Sequence, residues 1–143
     1  MRFLLDVNVL IALIDPAHVL HDRAHAWFAG KGQEAWATCP LTENGVLRIV
    51  GHPRYPNSPG SPAAVARLLA SLRKLSGHAF WPDGISLLDS EHLDAARLLD
   101  SAHVTDSYLL ALARAHRGQL ATFDEGIPTQ SVIDGARALH VIQ

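Results

Sequence analysis

The sequence predicts an α/β fold, a three-layer α/β/α sandwich around a central, mainly parallel sheet. Short apolar runs alternate with longer segments of helical periodicity, and this alternation is typical of βαβ units, whose strands run parallel. The 143 residues suffice for one self-sufficient core, so we expect a single domain over 1–143. A hydrophobic content of 48% argues against disorder.

Proline and glycine mark most of the breaks between the predicted elements. Pro16 ends the first helix, Gly51 and Pro53 end the third, and Gly118 ends the last. The five predicted strands are 2–5, 35–38, 79–81, 120–123 and 139–142. The six predicted helices are 7–14, 21–28, 41–50, 62–72, 90–99 and 105–117.

The fourth predicted helix follows a loop over 53–62 that carries four prolines. Ser61 is its expected N-cap, because a serine hydroxyl accepts a hydrogen bond from a free N–H of the first turn. Its apolar residues recur at helical spacing and predict a buried stripe formed by Val65, Leu68, Leu69 and Leu72.

Four acidic residues lie at the ends of predicted elements. Asp6 follows the first strand and Asp124 follows the strand 120–123, so both are expected at the carboxyl edge of the sheet, where open α/β sheets bind ligands. Asp106 lies at the start of the last helix, and Glu43 lies on the apolar face of the third. Carboxylates that converge on one cleft repel each other, and a hard divalent cation usually holds them together. The pattern predicts metal-assisted phosphodiester chemistry.

Each of these acids alone has an ordinary structural explanation. Asp6 and Asp124 are suited to capping the elements that follow, and Asp106 suits the first turn of a helix. Glu43 suits a capping or snorkelling position. Their joint placement favours a site, because an unpaired carboxylate on an apolar helix face is costly to bury.

Composition excludes several other classes of protein. The formal net charge of −2 provides no overall basic field, which argues against a stoichiometric DNA binder but less against a nuclease, whose metal ion supplies positive charge locally. A lone Cys39 excludes an internal disulfide and a cysteine-based zinc site. Glycine-rich phosphate loops are absent, so we expect no nucleotide cofactor. We find no signal-peptide pattern or membrane-spanning run and expect a cytoplasmic protein without membrane contact.

One histidine pair offers an alternative metal site. His21 and His25 lie at i and i+4 on one helix face and resemble a zinc metalloprotease motif, with Asp22 in the place of its glutamate. Aspartate is shorter than glutamate, and the sequence places no third ligand nearby. We therefore expect ordinary solvent-facing histidines.

The segments around the four acids resemble the signature segments of PIN domains, in particular those of VapC toxins from bacterial type II toxin–antitoxin modules. The resemblance covers essentially the whole chain, and the four segments together are specific. They are LDVNVL at 5–10, TENGVLR at 42–48, VTDSYL at 104–109 and ATFD at 121–124.

The resemblance implies a Mg²⁺- or Mn²⁺-dependent endoribonuclease that cleaves RNA with a metal-activated water. Its catalytic quartet would be Asp6, Glu43, Asp106 and Asp124. Asp6 and Asp106 would bind the ion directly, and Glu43 and Asp124 would bind it through water or hold a second ion.

The same resemblance implies supporting residues and partners. Asn8, Thr105 and Thr122 match polar residues that accompany the acids. The expected assembly is a homodimer that acts on RNA and is inhibited by a cognate VapB-like antitoxin.

Two other functions stay open at the level of sequence. A haloacid-dehalogenase-like phosphatase also begins with a strand that ends in aspartate, but it needs a second aspartate where this chain has Asn8. The other alternative is a non-catalytic PIN-like module that binds RNA or a protein without cutting.

Overall fold

Five short parallel strands form the sheet, in the order β3-β2-β1-β4-β5. The computed structural model describes all 143 residues. The strands are β1 (Phe3–Leu5), β2 (Trp36–Thr38), β3 (His78–Phe80), β4 (Gln119–Thr122) and β5 (Leu139–Val141). The helices are α1 (Val7–Ile14), α2 (His21–Gly30), α3 (Pro40–Val50), α4 (Pro62–Arg73) and α5 (Val104–Ala115).

The central strand β1 is buried on both faces, which explains why its sequence is uniformly apolar. Phe3 and Leu5 join a core of 16 buried residues that includes side chains of α1, α2, α3 and α4. Leu4 points to the other face and joins a core of 14 buried residues, five of which belong to α5. Helices thus cover both faces of a parallel sheet, and the predicted three-layer sandwich is confirmed.

In α4 the predicted N-cap is confirmed, but the predicted buried stripe is confirmed only in part. The Ser61 Oγ accepts a hydrogen bond from the Ala64 N–H at 3.2 Å. Val65 and Leu69 are buried, whereas Leu68, predicted to be buried, is 45% exposed. The apolar stripe that packs on the core is therefore narrower than the sequence indicated.

The helix predicted over 90–99 does not form. Leu93 is fully buried and forms an antiparallel bridge with Val132, which holds the chain extended at this point. The Asp94 side chain then accepts a hydrogen bond from the Ala96 N–H and starts a three-residue 3-10 helix instead. Aspartate side chains form such local hydrogen bonds in place of those of an α-helix. Here the long-range contact between Leu93 and Val132 favours the non-helical conformation.

The longest helices, α4 and α5, have 12 residues each. No helix combines the length and apolar character that crossing a membrane requires.

Candidate active site

Asp6 leaves the central strand at the carboxyl edge and forms the N-cap of α1. Its side chain is only 8% exposed, because it lies between β1 and the neighbouring strand β4. Its Oδ1 accepts from the Val7 N–H at 2.8 Å and its Oδ2 from the Thr122 hydroxyl at 2.9 Å. The capping role foreseen for Asp6 is real, and each oxygen still has a lone pair for a further partner.

Thr122 connects Asp6 to Asp124. The parallel pairing of β1 with β4 brings the ends of both strands to the same edge. The Thr122 hydroxyl donates to Asp6 and accepts from the Asp124 N–H at 3.0 Å. Asp124 itself lies two residues beyond the end of β4 rather than directly after it, and its side chain is exposed. Its Oδ1 accepts from the Gly126 N–H at 2.7 Å.

Asp106 lies in the first turn of α5 and shares a cleft of about 370 Å³ with Asp6. Burial raises the pKa of Asp106 above its ordinary value, and the charges of Asp6 and Asp124 raise it further. Burial likewise raises the pKa of Asp6, and the charge of Asp124 contributes in the same direction. The structure therefore brings these three predicted residues close enough together for their charges to act on Asp6 and Asp106.

Asn8 and Thr105 also line this cleft, as the sequence analysis expected of supporting residues. Both are exposed, so their amide and hydroxyl groups are free to contact a ligand.

Glu43, the fourth predicted acid, has different partners in the structure. Its Oε2 accepts from the Thr38 hydroxyl at 2.6 Å and lies 3.3 Å from the Arg73 guanidinium. Burial, then the charges of Arg73 and Arg2, lower the pKa of His78, which also contacts Thr38, to about 4. Since His78 is neutral, Arg73 is the cation that balances Glu43.

The sequence analysis expected Glu43 in one cleft with the aspartates, and here its carboxylate contacts Thr38 and Arg73 instead. Glu43 and Arg73 line a groove between α3 and α4 that adjoins the aspartate cleft, since Asn44 lines both. The reason is visible in the helix period, because Glu43 lies on the α3 stripe that includes Val46 and Val50, whose side chains are buried against the core.

The other face of α3 lines the aspartate cleft, and sequence reasoning missed it. Its members lie at i, i+3, i+4 and i+7, the same spacing that was applied to the stripe of Glu43. They are Leu41, Asn44, Gly45 and Arg48. Starting the helical count two residues earlier, at Leu41, would have found Asn44 and Arg48.

The donor set of the cleft fits a hard divalent cation. Asp6, Asp106 and Asp124 offer only carboxylate oxygens, the ligands that Mg²⁺ and Mn²⁺ prefer. Neither Asp6 nor Asp106 is paired with a cationic side chain. A bound divalent cation would balance the charges that otherwise raise the pKa of these residues.

Two other groups of possible metal ligands lie outside the cleft. The rings of His21 and His25 contact the carbonyl oxygens of Ala12 and Leu13 at 2.7 and 2.8 Å. They satisfy carbonyls near the end of α1, which explains their spacing without a zinc ion. The second group is an exposed cluster with donor atoms within 4.8 Å of one another, formed by Asp89, Glu91 and His92.

An all-parallel sheet with carboxylates gathered at its carboxyl edge is suited to metal-assisted phosphoryl chemistry. The PIN domain profile matches residues 3–131. The chain is 48% identical to ribonuclease VapC44 of Mycobacterium tuberculosis over 141 residues, which cover 99% of this chain and 98% of that protein. The chain belongs to the PIN-domain family, among its VapC ribonucleases.

Solved structures show the same fold at low sequence identity. The crystal structure of VapC20 of Mycobacterium tuberculosis, a toxin that cleaves the sarcin–ricin loop, superposes with a TM-score of 0.61 at 12% identity, covering 92% of this chain and 97% of that one. VapBC2 of Rickettsia felis, bound to a DNA fragment from its promoter, superposes with a TM-score of 0.60 at 13% identity, covering 100% of both chains. The family match decides against the haloacid-dehalogenase-like alternative.

Proposed function

We propose that this chain is a divalent-metal-dependent endoribonuclease that acts in the cytoplasm as the toxin of a toxin–antitoxin pair. The observation that carries the proposal is the meeting of Asp6, Asp106 and Asp124, from three separate elements, at one edge of the sheet. Burial and the charge of Asp124 raise the pKa of Asp6, burial and the charges of both other aspartates raise the pKa of Asp106, and no cationic side chain forms an ion pair with any of the three. The similarity to ribonuclease VapC44 over almost the full length supports the same function.

Within this proposal, Asp6 and Asp106 bind Mg²⁺ or Mn²⁺ directly, and Asp124 binds through water or holds a second ion. Bound in the cleft, the cation supplies Lewis-acid charge and an activated water for attack on the phosphodiester. Thr122 keeps the Asp6 carboxylate oriented by donating to its Oδ2. Asn8 and Thr105 offer hydrogen bonds to the phosphate oxygens of RNA across the same cleft.

Glu43 takes part through water or a second ion once its contact with Arg73 opens. The Arg73 side chain is 41% exposed, so the pair is screened by solvent and separates at little cost. Thr38 then remains as the hydrogen-bond donor that orients Glu43.

We further propose that the chain forms a homodimer and is inhibited by a VapB-like antitoxin. A cleft rich in carboxylates attracts an arginine side chain, which is permanently charged and matches carboxylate geometry. Such a side chain from an antitoxin would compete with the metal for Asp6 and Asp106. The likeness to the VapBC2 fold is compatible with this arrangement.

The experiment is an RNA cleavage assay with the purified chain in Mg²⁺, Mn²⁺ or EDTA. We expect cleavage with either metal, none in EDTA, and loss of cleavage in Asp106→Asn. The matched control is Asp22→Asn, because Asp22 is an exposed helical aspartate outside the cleft. Cleavage that persists in EDTA or in Asp106→Asn contradicts the proposal.

The same preparation decides between the alternatives. RNA binding without cleavage in either metal would establish the non-catalytic module. Hydrolysis of a simple phosphate monoester with intact RNA would contradict the ribonuclease assignment. Co-expression with the product of the neighbouring gene should abolish cleavage, and a preparation that stays fully active in that complex would contradict the toxin–antitoxin assignment.

A further inference from the structure

Arg48 is the cationic side chain that lines the aspartate cleft. It lies on the cleft-facing side of α3, one turn after Asn44, and its side chain is exposed. Its guanidinium makes no ion pair and donates no hydrogen bond within the chain. Arg73, on the other side of α3, is by contrast paired with Glu43.

Arg48 is unpaired although it lies beside the buried Asp6 and the half-buried Asp106. Ion pairs form when the charged atoms approach within about 4 Å, and Arg48 does not make this approach to Asp6 or Asp106. The fold holds Arg48 on the α3 wall of the cleft that contains Asp6 and Asp106, but leaves its hydrogen-bond donors free. Such a group is suited to bind an external anion.

Gly45, three residues before Arg48, explains how α3 comes so close to the cleft. A Cβ atom at Gly45 would lie 2.9 Å from the Val7 Cγ2 at the start of α1, a distance that ordinary packing does not allow. Only glycine lets α3 pack this tightly against the residues that follow Asp6. The wall that carries Asn44 and Arg48 is therefore fixed next to the predicted metal ligands.

RNA supplies the anion that such a wall would meet. Each nucleotide brings one phosphate, and a divalent cation between the aspartates balances only the phosphate under attack. The neighbouring phosphate would face the negative charge of the cleft without compensation in a chain of net charge −2. Arginine matches phosphate geometry with two parallel hydrogen bonds.

We propose that Arg48 and Asn44 form a subsite for a backbone phosphate of RNA adjacent to the scissile one. Arg48 binds the phosphate oxygens, and the Asn44 amide donates a hydrogen bond from one helical turn before. This subsite rests on the proposed ribonuclease function and adds a contact that positions the substrate without touching the reacting atoms.

The test measures RNA binding at several salt concentrations with cleavage blocked. The probe is a fluorescently labelled RNA that the wild-type chain cleaves, and the protein carries Asp6→Asn. Adding Arg48→Gln should weaken binding and make the salt dependence shallower, by about 0.7 in the slope of log affinity against log salt for one lost phosphate contact. The matched control is Arg67→Gln, an exposed arginine on α4 that lines no part of the cleft and should leave the slope unchanged.

A kinetic measurement in the otherwise wild-type chain separates positioning from chemistry. Arg48→Gln should raise KM with little change in kcat, and Arg48→Lys should recover part of the loss because it keeps the charge but not the fork geometry. The thermal midpoint should stay unchanged, since Arg48 makes no contact that the fold depends on.

The outcomes distinguish the subsite from the function on which it rests. If the wild-type chain cleaves RNA and Asp6→Asn does not, but Arg48→Gln binds with unchanged affinity and slope, the subsite is wrong and the nuclease assignment stands. A lower kcat at unchanged KM would also overturn the subsite. If the wild-type chain cleaves no RNA with metal, the proposed ribonuclease function is wrong, and the subsite that rests on it is wrong as well.

Discussion

Helix α1 has a buried aspartate at each end, and the pKa values of the two are shifted in opposite directions. Asp6 at the start is 8% exposed and Asp15 at the end is 6% exposed. Burial raises the pKa of Asp6, and its two hydrogen bonds do not offset that effect. Burial also acts to raise the pKa of Asp15, but hydrogen bonds from Tyr55 and Asn57 outweigh it, so this pKa is lowered.

The helix dipole does not explain this difference, because it favours a negative charge at the start of α1 and disfavours one at the end. The number of donors does. Asp15 accepts from the Tyr55 hydroxyl, from the Asn57 amide at 2.7 Å and from the Ala17 N–H at 2.9 Å. Asp15 has enough donors within the chain, whereas Asp6 has fewer and lies close to other carboxylates. The first is a structural residue that anchors the loop after α3, and the second is available to a cation.

The largest contrast is expected in catalysis. Asp6→Asn should lower RNA cleavage by at least about a thousandfold, equivalent to about 4 kcal/mol of transition-state stabilisation, because a direct metal ligand is lost. Without metal, the Asp6→Asn variant should have the same thermal midpoint as the wild type or a slightly higher one, since the amide removes a like charge. Circular dichroism and a cleavage time course check both points, and a variant that unfolds or stays active would remove the contrast.

Metal binding should stabilise the folded chain through the same residue. At a metal concentration of 100 times Kd, the free energy of unfolding should rise by about 2.7 kcal/mol. Differential scanning calorimetry with Mg²⁺ or Mn²⁺, with EDTA and a monovalent salt of equal ionic strength as controls, measures this shift. The shift should vanish in Asp6→Asn and persist in Asp15→Asn. An equal shift in Asp6→Asn would place the ion elsewhere.

Asp15→Asn should show the reverse pattern, with lower stability and intact chemistry. The variant's side-chain NH₂ replaces an oxygen that accepts a hydrogen bond, so we expect a loss of about 1–3 kcal/mol in the free energy of unfolding. Cleavage per folded molecule should stay at the wild-type level. Urea unfolding and a cleavage assay below the transition measure the two effects, and Tyr55→Phe should reproduce part of the destabilisation.

The pH dependence of that loss has a definite sign. The folded-state pKa of Asp15 is lowered, so its stabilisation is present above the unfolded value of about 3.9 and disappears as pH falls through the folded pKa. Asp6, whose folded pKa is raised, has the opposite sign in the metal-free protein. The difference in stability between wild type and Asp15→Asn should therefore shrink below about pH 4. A difference that grows there would contradict the assignment.

The smallest effect on stability is expected at the Glu43–Arg73 pair. Arg73→Gln should change the free energy of unfolding by less than about 1 kcal/mol, because the pair is partly exposed. Glu43→Gln should lower cleavage by about 10–100-fold, as is typical of groups that act on a metal site indirectly. A loss as large as that of Asp6→Asn would make Glu43 a direct ligand and would end its contrast with the aspartates.

The sequence by itself determined the strand–helix alternation, the bounds of α1, the cap at Ser61 and the placement of Asp6 and Asp124 at one sheet edge. These features follow from local physics. Apolar periodicity and turn residues mark the elements, and parallel strands necessarily end at the same edge. The resemblance then connected the acids with a family, and the profile match confirmed that family.

Only the tertiary structure decided which partner each polar group has. The Glu43–Arg73 pair joins residues 30 positions apart, and the hydrogen bond between Tyr55 and Asp15 joins residues 40 positions apart. The bridge from Leu93 to Val132 overrode a helix pattern for the same reason. Such contacts depend on how helices pack across the sheet, and spacing along one segment does not encode them. The same packing placed Arg48, rather than Glu43, in the cleft with Asp6.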